Sequence, residues 1–380
     1  MSILSRGARL SPAISRRIRR TPYTSRAISS GASEFTVVNH TLLPKAYRKT
    51  VAEDYWHLKT RVQIWDVGCQ RQVEIAGPDA SRLVQWMTPR DISAARIGDC
   101  LYLPVIDRDA GMVNDPILLK LEEDRYWLSI ADSDLLLFAL GLAQASDMNV
   151  RVAEPDVSPL AIQGPLSSEV ASAVFGDSVR GLERFKFGAF EFRGTSQIVA
   201  RTGYSSQDGF EVFLDRGSLG EMLWDAVFEV GRPLEIAPGC PNLIDRIEAG
   251  LISYGNEVTR ENNPLEAGLG RFCSLDRDIR CLGMPALRIL ARRGIRRRIR
   301  GIVFGRGSMP PSDGSLEVFA ADADDRRVGT IASAAYSPSL ERNVGLAMME
   351  KPFWEAGESV VVRTGDGQFE HGEISELPIK

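Results

Sequence analysis

Period-two alternation of apolar and polar residues, interrupted by runs at helical spacing, predicts a chain of mixed α+β class. Val51 to Leu58 reads as a short helix leading to a strand over Val62 to Val67. Arg71 to Ile75 alternates, and Gly77-Pro78-Asp79 turns the chain into a helix over Ala80 to Met87. Ile117 to Leu121 and Tyr126 to Ile130, joined by Glu122 to Arg125, form a hairpin pattern. Asp134 to Ala145 reads as helix, Leu160 to Gly164 as strand, and Ser167 to Val174 as a helix entered through Gly164-Pro165. Phe190 to Ala200 is one segment and Phe210 to Leu214 another, bracketing RTGYSSQDGFE, the latter a strand with Phe210, Val212 and Leu214 on one face and Glu211 on the other. The clearest helix is NLIDRIEAGLISYG. Asn242 is its N-cap, Leu243, Ile244, Ile247, Leu251 and Tyr254 are its buried stripe, and Gly255 is its left-handed terminator. Beyond residue 286, strand-like pieces at Leu316 to Ala320, Arg327 to Ala332, Val344 to Met349 and Ser359 to Arg363, separated by Gly, Pro and Asp, predict an all-β carboxy-terminal domain.

Composition narrows the picture. A chain of 380 residues is long enough for two or three domains. Its net charge of -4 gives no whole-protein reason to expect nucleic acid or an anionic membrane as partner. Five cysteines and three histidines fall in no metal-binding spacing, so no metal is expected. No apolar run approaches the roughly 20 residues that span a bilayer. Residues 1–33 hold arginines 6, 9, 16, 17, 19, 20 and 26 and no acid. Such a segment suits a basic arm on a cytoplasmic protein, or alternatively a transit peptide for an organellar matrix. A second cluster, Arg288, Arg292, Arg293, Arg296, Arg297, Arg298 and Arg300, lacks interleaved aromatics. It is read as a salt-bridged domain linker rather than a phosphate or RNA site.

Two places carry candidate chemistry. In RTGYSSQDGFE, Gly203 and Gly209 bracket a polar turn that delivers Glu211 into a strand. An acid there can receive the N–H donors of a flat heterocycle, or simply be an exposed strand residue. In MVNDPILLKL, Pro116 keeps Asp115 out of the helical region, at the entrance to an apolar strand. A partly desolvated aspartate can stabilise a cationic transition state or handle a proton, or it can merely begin a hairpin with an Asx turn.

The ordered motifs GMVNDP, SPLAIQGP, RTGYSSQDGFE, NLIDRIEAGLISYGNE and NNPLEAGLG resemble those of the folate-dependent aminomethyltransferase (glycine cleavage T-protein) family. The likeness runs from about residue 45 to the carboxy terminus. NHTLLP, EDYWHLK, WDVGCQRQVEI, MTPRDIS, YWLSIADSDLLL and RFCSLD are most similar to the branch that demethylates a sulfonium, dimethylsulfoniopropionate, and SRRIRRTPYTSR resembles that branch's amino terminus. The resemblance implies a three-domain, ring-like, folate-binding molecule. Its expected division is an arm over 1–33, two intertwined α+β domains over 34–285, and a β-barrel over 286–380.

The resemblance also implies residue roles. Glu211 matches the acid that grips the pterin, and Asp115 the aspartate at the reacting centre. Tyr102 and Tyr204 match the tyrosines that line the folate and substrate cleft, and Arg246 the helix arginine of the folate site. The implied reaction is methyl transfer from the sulfonium to N5 of tetrahydrofolate, its partners being folate and a small methylated onium compound. Two departures bear on the substrate. Where the T-protein has two acids this chain reads Asn114-Asp115, as the demethylase branch does, and where that branch usually has Trp this chain has Tyr204. Transfer from another methylated small molecule and a non-enzymatic folate-binding role therefore stay open, and docking to a lipoyl carrier protein is the less favoured alternative.

Overall fold

The computed structural model describes residues 15–47, 50–309, 314–321 and 326–379. Arg6 and Arg9, in the first part of the basic arm, lie outside the described residues. The body is built on two antiparallel-rich sheets. One has five strands in the order Arg151–Ala153, Gln72–Ala76, Arg125–Ser129, Ile117–Glu122 and Cys100–Tyr102. The other has six, in the order Phe187–Phe192, Thr195–Ala200, Gly209–Asp215, Val157–Gln163, Gln63–Asp66 and Ala237–Gly239. The carboxy-terminal part is a closed barrel of Arg297–Phe304, Arg342–Glu350, Arg327–Ser337, Leu316–Ala320, Ser359–Arg363 and Phe369–Ser375. Closure removes the exposed edges that an open sheet would present. Among the described residues no helix is long and apolar enough to cross a membrane.

Each unit has its own core. Phe210, Val212 and Leu214 pack with Ile64, Leu160, Ile162 and Trp224 on one face of the six-stranded sheet. Phe213, on the opposite face, packs with Cys100, Leu119 and Trp127 of the five-stranded sheet. This second burial joins the two sheets and leaves Glu211, on Phe213's face, inside the molecule. The described part of the arm belongs to the same body. Tyr23 and Ala27 are wholly buried in the six-stranded sheet's core, Thr21 Oγ1 donates to Asp66 at 2.6 Å, and Arg26 pairs with Asp225 at 2.8 Å.

Three expectations change. The run Phe190 to Ala200 is two strands, Phe187–Phe192 and Thr195–Ala200, because Arg193 and Gly194 adopt positive φ and turn the chain. The NLIDRIEAGLISYG helix spans only Leu243–Ala249; Gly250, at φ 70°, terminates it, five residues before Gly255. Asn242 does cap it, accepting from the N–H groups of Ile244 and Asp245. The arginine cluster is salt-bridged in part, as expected, but is more than a linker. Met284–Arg293 is a helix and Arg297–Phe304 the first barrel strand, with Arg297 paired to Glu266 and Arg300 donating to the Trp354 carbonyl. Arginine side chains can lay their stems on apolar surface while the heads find acceptors, so the run hides a strand.

Candidate functional site

A cavity of about 930 Å³ lies where the two sheets and the barrel meet, and Tyr102, Asp115, Tyr204, Glu211 and Arg246 all line it. Four chain regions distant in sequence bring them there. Tyr102 ends an edge strand and pairs with Ile117, so the residues just before Ile117 lie beside its ring.

Asp115 is one of those residues and is 8% exposed. The Tyr102 hydroxyl donates to its Oδ2 at 2.6 Å, whereas Oδ1 is buried with no hydrogen-bond partner. A buried carboxylate oxygen without a donor is costly and points to a ligand that supplies one. Burial pushes the Asp115 carboxyl up to about 7; the Tyr102 hydrogen bond opposes the rise, and the Glu257 charge adds to it. Asp115 is thus a buried carboxylate that lines the cavity. Its neighbour Asn114 is fully buried and donates to the Ala131 carbonyl and Ser133 Oγ while accepting from Ala131 N–H. An ionised aspartate could not donate those bonds.

Glu211 is 6% exposed, so the exposed-strand reading is overturned. Thr202 Oγ1 donates to its Oε2 at 2.5 Å, and among the described residues no donor reaches Oε1. Burial raises the Glu211 pKa and the Thr202 bond counters it. The turn between Thr202 and Glu211 docks on the helix Leu243–Ala249: Ser206 donates through N–H and Oγ to the Asp245 carboxylate at 2.8 and 2.6 Å. Gly203 and Gly209 face the buried Gln163 amide so closely that a Cβ on either would collide with it.

The docked turn places Tyr204 with its hydroxyl donating to the Ile252 carbonyl at 2.8 Å. Arg246, 6% exposed, grips Glu257 through two bonds of 3.1 Å and donates to Ser333 Oγ on the barrel at 2.7 Å and to the Leu251 carbonyl at 3.2 Å. Burial works against the Arg246 charge, but the neighbouring Tyr204 and Glu257 hold its pKa above the ordinary value. Its guanidinium is committed largely to protein acceptors.

Several residues here escaped the sequence reading. Thr202 stands inside RTGY, but nothing in the pattern pairs it with Glu211. Tyr254, assigned to a helix stripe, instead lines the cavity and donates to the Met112 carbonyl at 3.0 Å. Phe272 stacks edge-on against Tyr102 at 5.2 Å from RFCSLD, a segment with no periodicity to mark it. The cavity therefore offers two buried carboxylates, each with one oxygen left for a ligand donor, between aromatic walls.

Two family models match the chain: the GCVT N-terminal domain over residues 24–277 and the glycine cleavage T-protein C-terminal barrel domain over 297–379. Dimethylsulfoniopropionate demethylase of Ruegeria pomeroyi is 45% identical over 353 residues, covering 93% of this chain and 95% of the relative. Aminomethyltransferase of Rubrobacter xylanophilus is 31% identical, with 84% of each chain covered. The crystal structure of the glycine cleavage system aminomethyltransferase T from Bartonella henselae shares the fold, with a TM-score of 0.83 at 21% identity, over 95% of this chain and 98% of that one. By these matches the chain belongs to the aminomethyltransferase family of the glycine cleavage T-protein.

Proposed function

We propose that this chain is a cytoplasmic methyltransferase that moves a methyl group from dimethylsulfoniopropionate to N5 of tetrahydrofolate, leaving methylthiopropionate and 5-methyltetrahydrofolate. Bound tetrahydrofolate supplies the N5 lone pair that takes the methyl, the sulfonium sulfur keeps the electron pair of the bond that breaks, and the methylated amine then releases to water the proton that N5 carried. The observation that carries the reading is the unpartnered Oδ1 of buried Asp115 in one cavity with Glu211. The 45% identity to the demethylase of Ruegeria pomeroyi supports the choice of donor.

Asp115 accepts a hydrogen bond from the amine and offsets positive charge as the methyl moves. Glu211 anchors the pterin N–H groups through Oε1, a carboxylate offering acceptors where a pterin edge offers donors. Tyr102 and Tyr204 close the walls on the cation and its acceptor. The sulfonium already carries a neutral leaving group, so the protein's task is alignment and exclusion of water. Arg246 holds the helix end and the 251–257 loop that form one wall.

A second reading, transfer from a different methylated small molecule, is favoured by Tyr204, which leaves a hydroxyl-bearing ring where the demethylase branch usually has Trp. Purified protein incubated with tetrahydrofolate and dimethylsulfoniopropionate should yield methylthiopropionate and 5-methyltetrahydrofolate. Folate binding without turnover of any methyl donor would overturn the enzymatic reading, and turnover of methylamines alone would replace the donor. Asp115→Asn should cut kcat by about a hundredfold or more, the scale of a removed charge-stabilising group. Glu211→Ala should raise the tetrahydrofolate Kd by about tenfold or more, the loss of a charge-assisted hydrogen bond.

A further inference from the structure

Three guanidiniums of the cavity wall, Arg271, Arg298 and Arg300, have no assignment in that scheme. Arg271 is exposed, lines the cavity, and lies over the Phe272 ring, 4.8 Å from its centroid. Phe272 in turn meets Tyr102 edge to face, centroids 5.2 Å apart, and the Tyr102 hydroxyl bonds to Asp115. Burial and the Asp115 charge raise the Tyr102 pKa, and the Arg271 charge pulls it the other way, so the cation is felt at the reacting centre. The other wall arginines with acidic partners are already engaged: Arg246 with Glu257, Arg300 with Glu376. Among the described residues no carboxylate pairs with Arg271. Lys45 and Arg298 also lack such a pair, but no ring contact ties either to the Tyr102–Asp115 pair.

We propose that Arg271, pre-positioned on Phe272, is the carboxylate grip of this cavity and makes it selective for a zwitterionic donor over a simple sulfonium cation. A planar guanidinium held on an aromatic face presents a bidentate fork to a carboxylate while losing little side-chain freedom. The same charge repels a cationic sulfonium that lacks the acid group. The inference rests on the demethylase reading for the donor's cationic end. The chemistry recognised is a carboxylate, which both the donor and the glutamyl tail of folate carry.

Binding of dimethylsulfoniopropionate, trimethylsulfonium, tetrahydrofolate and tetrahydropteroate would be measured for the wild type, Arg271→Gln and Arg271→Lys, alongside turnover. Arg271→Gln should weaken dimethylsulfoniopropionate about tenfold to a hundredfold and erase its advantage over trimethylsulfonium, with Arg271→Lys restoring part of the loss. Weakening confined to tetrahydrofolate, and absent for tetrahydropteroate, would assign the grip to the folate tail. Unchanged affinity for every carboxylate ligand would overturn the proposal. Because binding is read apart from turnover, a wild type that binds the donor without demethylating it would defeat the reaction reading and still test the grip. Arg271 is exposed, so an unchanged melting temperature is expected and checks that the fold is intact.

Discussion

At the residue scale, the surroundings of one buried carboxylate set how it titrates. Asp115 has a pKa pushed up to about 7 by burial, with the Tyr102 hydroxyl pulling it back down. A carboxyl whose folded pKa lies above its unfolded value favours folding fully below the unfolded pKa, and that contribution is lost as pH rises through about 7. Catalysis runs oppositely if it needs the anion: kcat/KM should rise through the same region and level off above it. Tyr102→Phe removes a bond that lowers the Asp115 pKa, so the rising limb should move to higher pH. A limb that stays put, or moves down, in the measured profile would contradict the role of Tyr102 in holding Asp115 ionised. Asp115 was visible in the sequence because Pro116 fixes the backbone before a strand. Its burial and its bond to Tyr102 were not, since both depend on the Tyr102–Ile117 strand pairing.

At the element scale, the turn from Thr202 to Gly209 delivers Glu211 to the cavity. The sequence reading took its two glycines for turn formers; the structure gives them another task. Neither adopts positive φ, and both instead leave room for the buried Gln163 amide, which accepts from Ser205 Oγ at 2.7 Å. Gly203→Ala should therefore cost about 1–3 kcal/mol by overpacking, read by denaturant unfolding, and should weaken tetrahydrofolate binding because Thr202 adjoins it. Adding Gln163→Ala should recover part of the stability; no recovery would place the strain elsewhere. The strand that follows was legible because alternation is local, down to which face carries Glu211. The end of the helix after Asn242 was not. Gly250 and Gly255 both adopt positive φ and both fit a left-handed stop, so the sequence alone did not distinguish them. The first barrel strand was hidden for a related reason: four arginines in Arg297–Phe304 and the residue before it read as charge, although Ile299, Ile302 and Phe304 are buried.

At the scale of the whole molecule, the cavity exists only while the barrel stays seated on the body. Two buried polar clusters span that junction. In one, Glu248 accepts from Tyr55 at 2.9 Å, Lys59 at 3.0 Å and the barrel residue Ser337 at 2.6 Å. In the other, Arg246 of the helix, Glu257 of the loop and Ser333 of the barrel bond to one another, with the Glu257 side chain 1% exposed. Arg246 was legible as a motif residue, yet no sequence pattern links it to Glu257 or to a serine 87 residues away. Removing one member of a buried ion pair strands the other charge, at a cost of about 3–5 kcal/mol, whereas replacing both by apolar residues costs far less. Arg246→Met should accordingly destabilise by that amount in denaturant unfolding, and Arg246→Met with Glu257→Leu should regain much of it. Folate affinity separates two roles for this arginine. If Arg246 chiefly bolts the cavity wall, the double variant should recover affinity along with stability; if its remaining donor contacts folate directly, stability should return while the tetrahydrofolate Kd stays high.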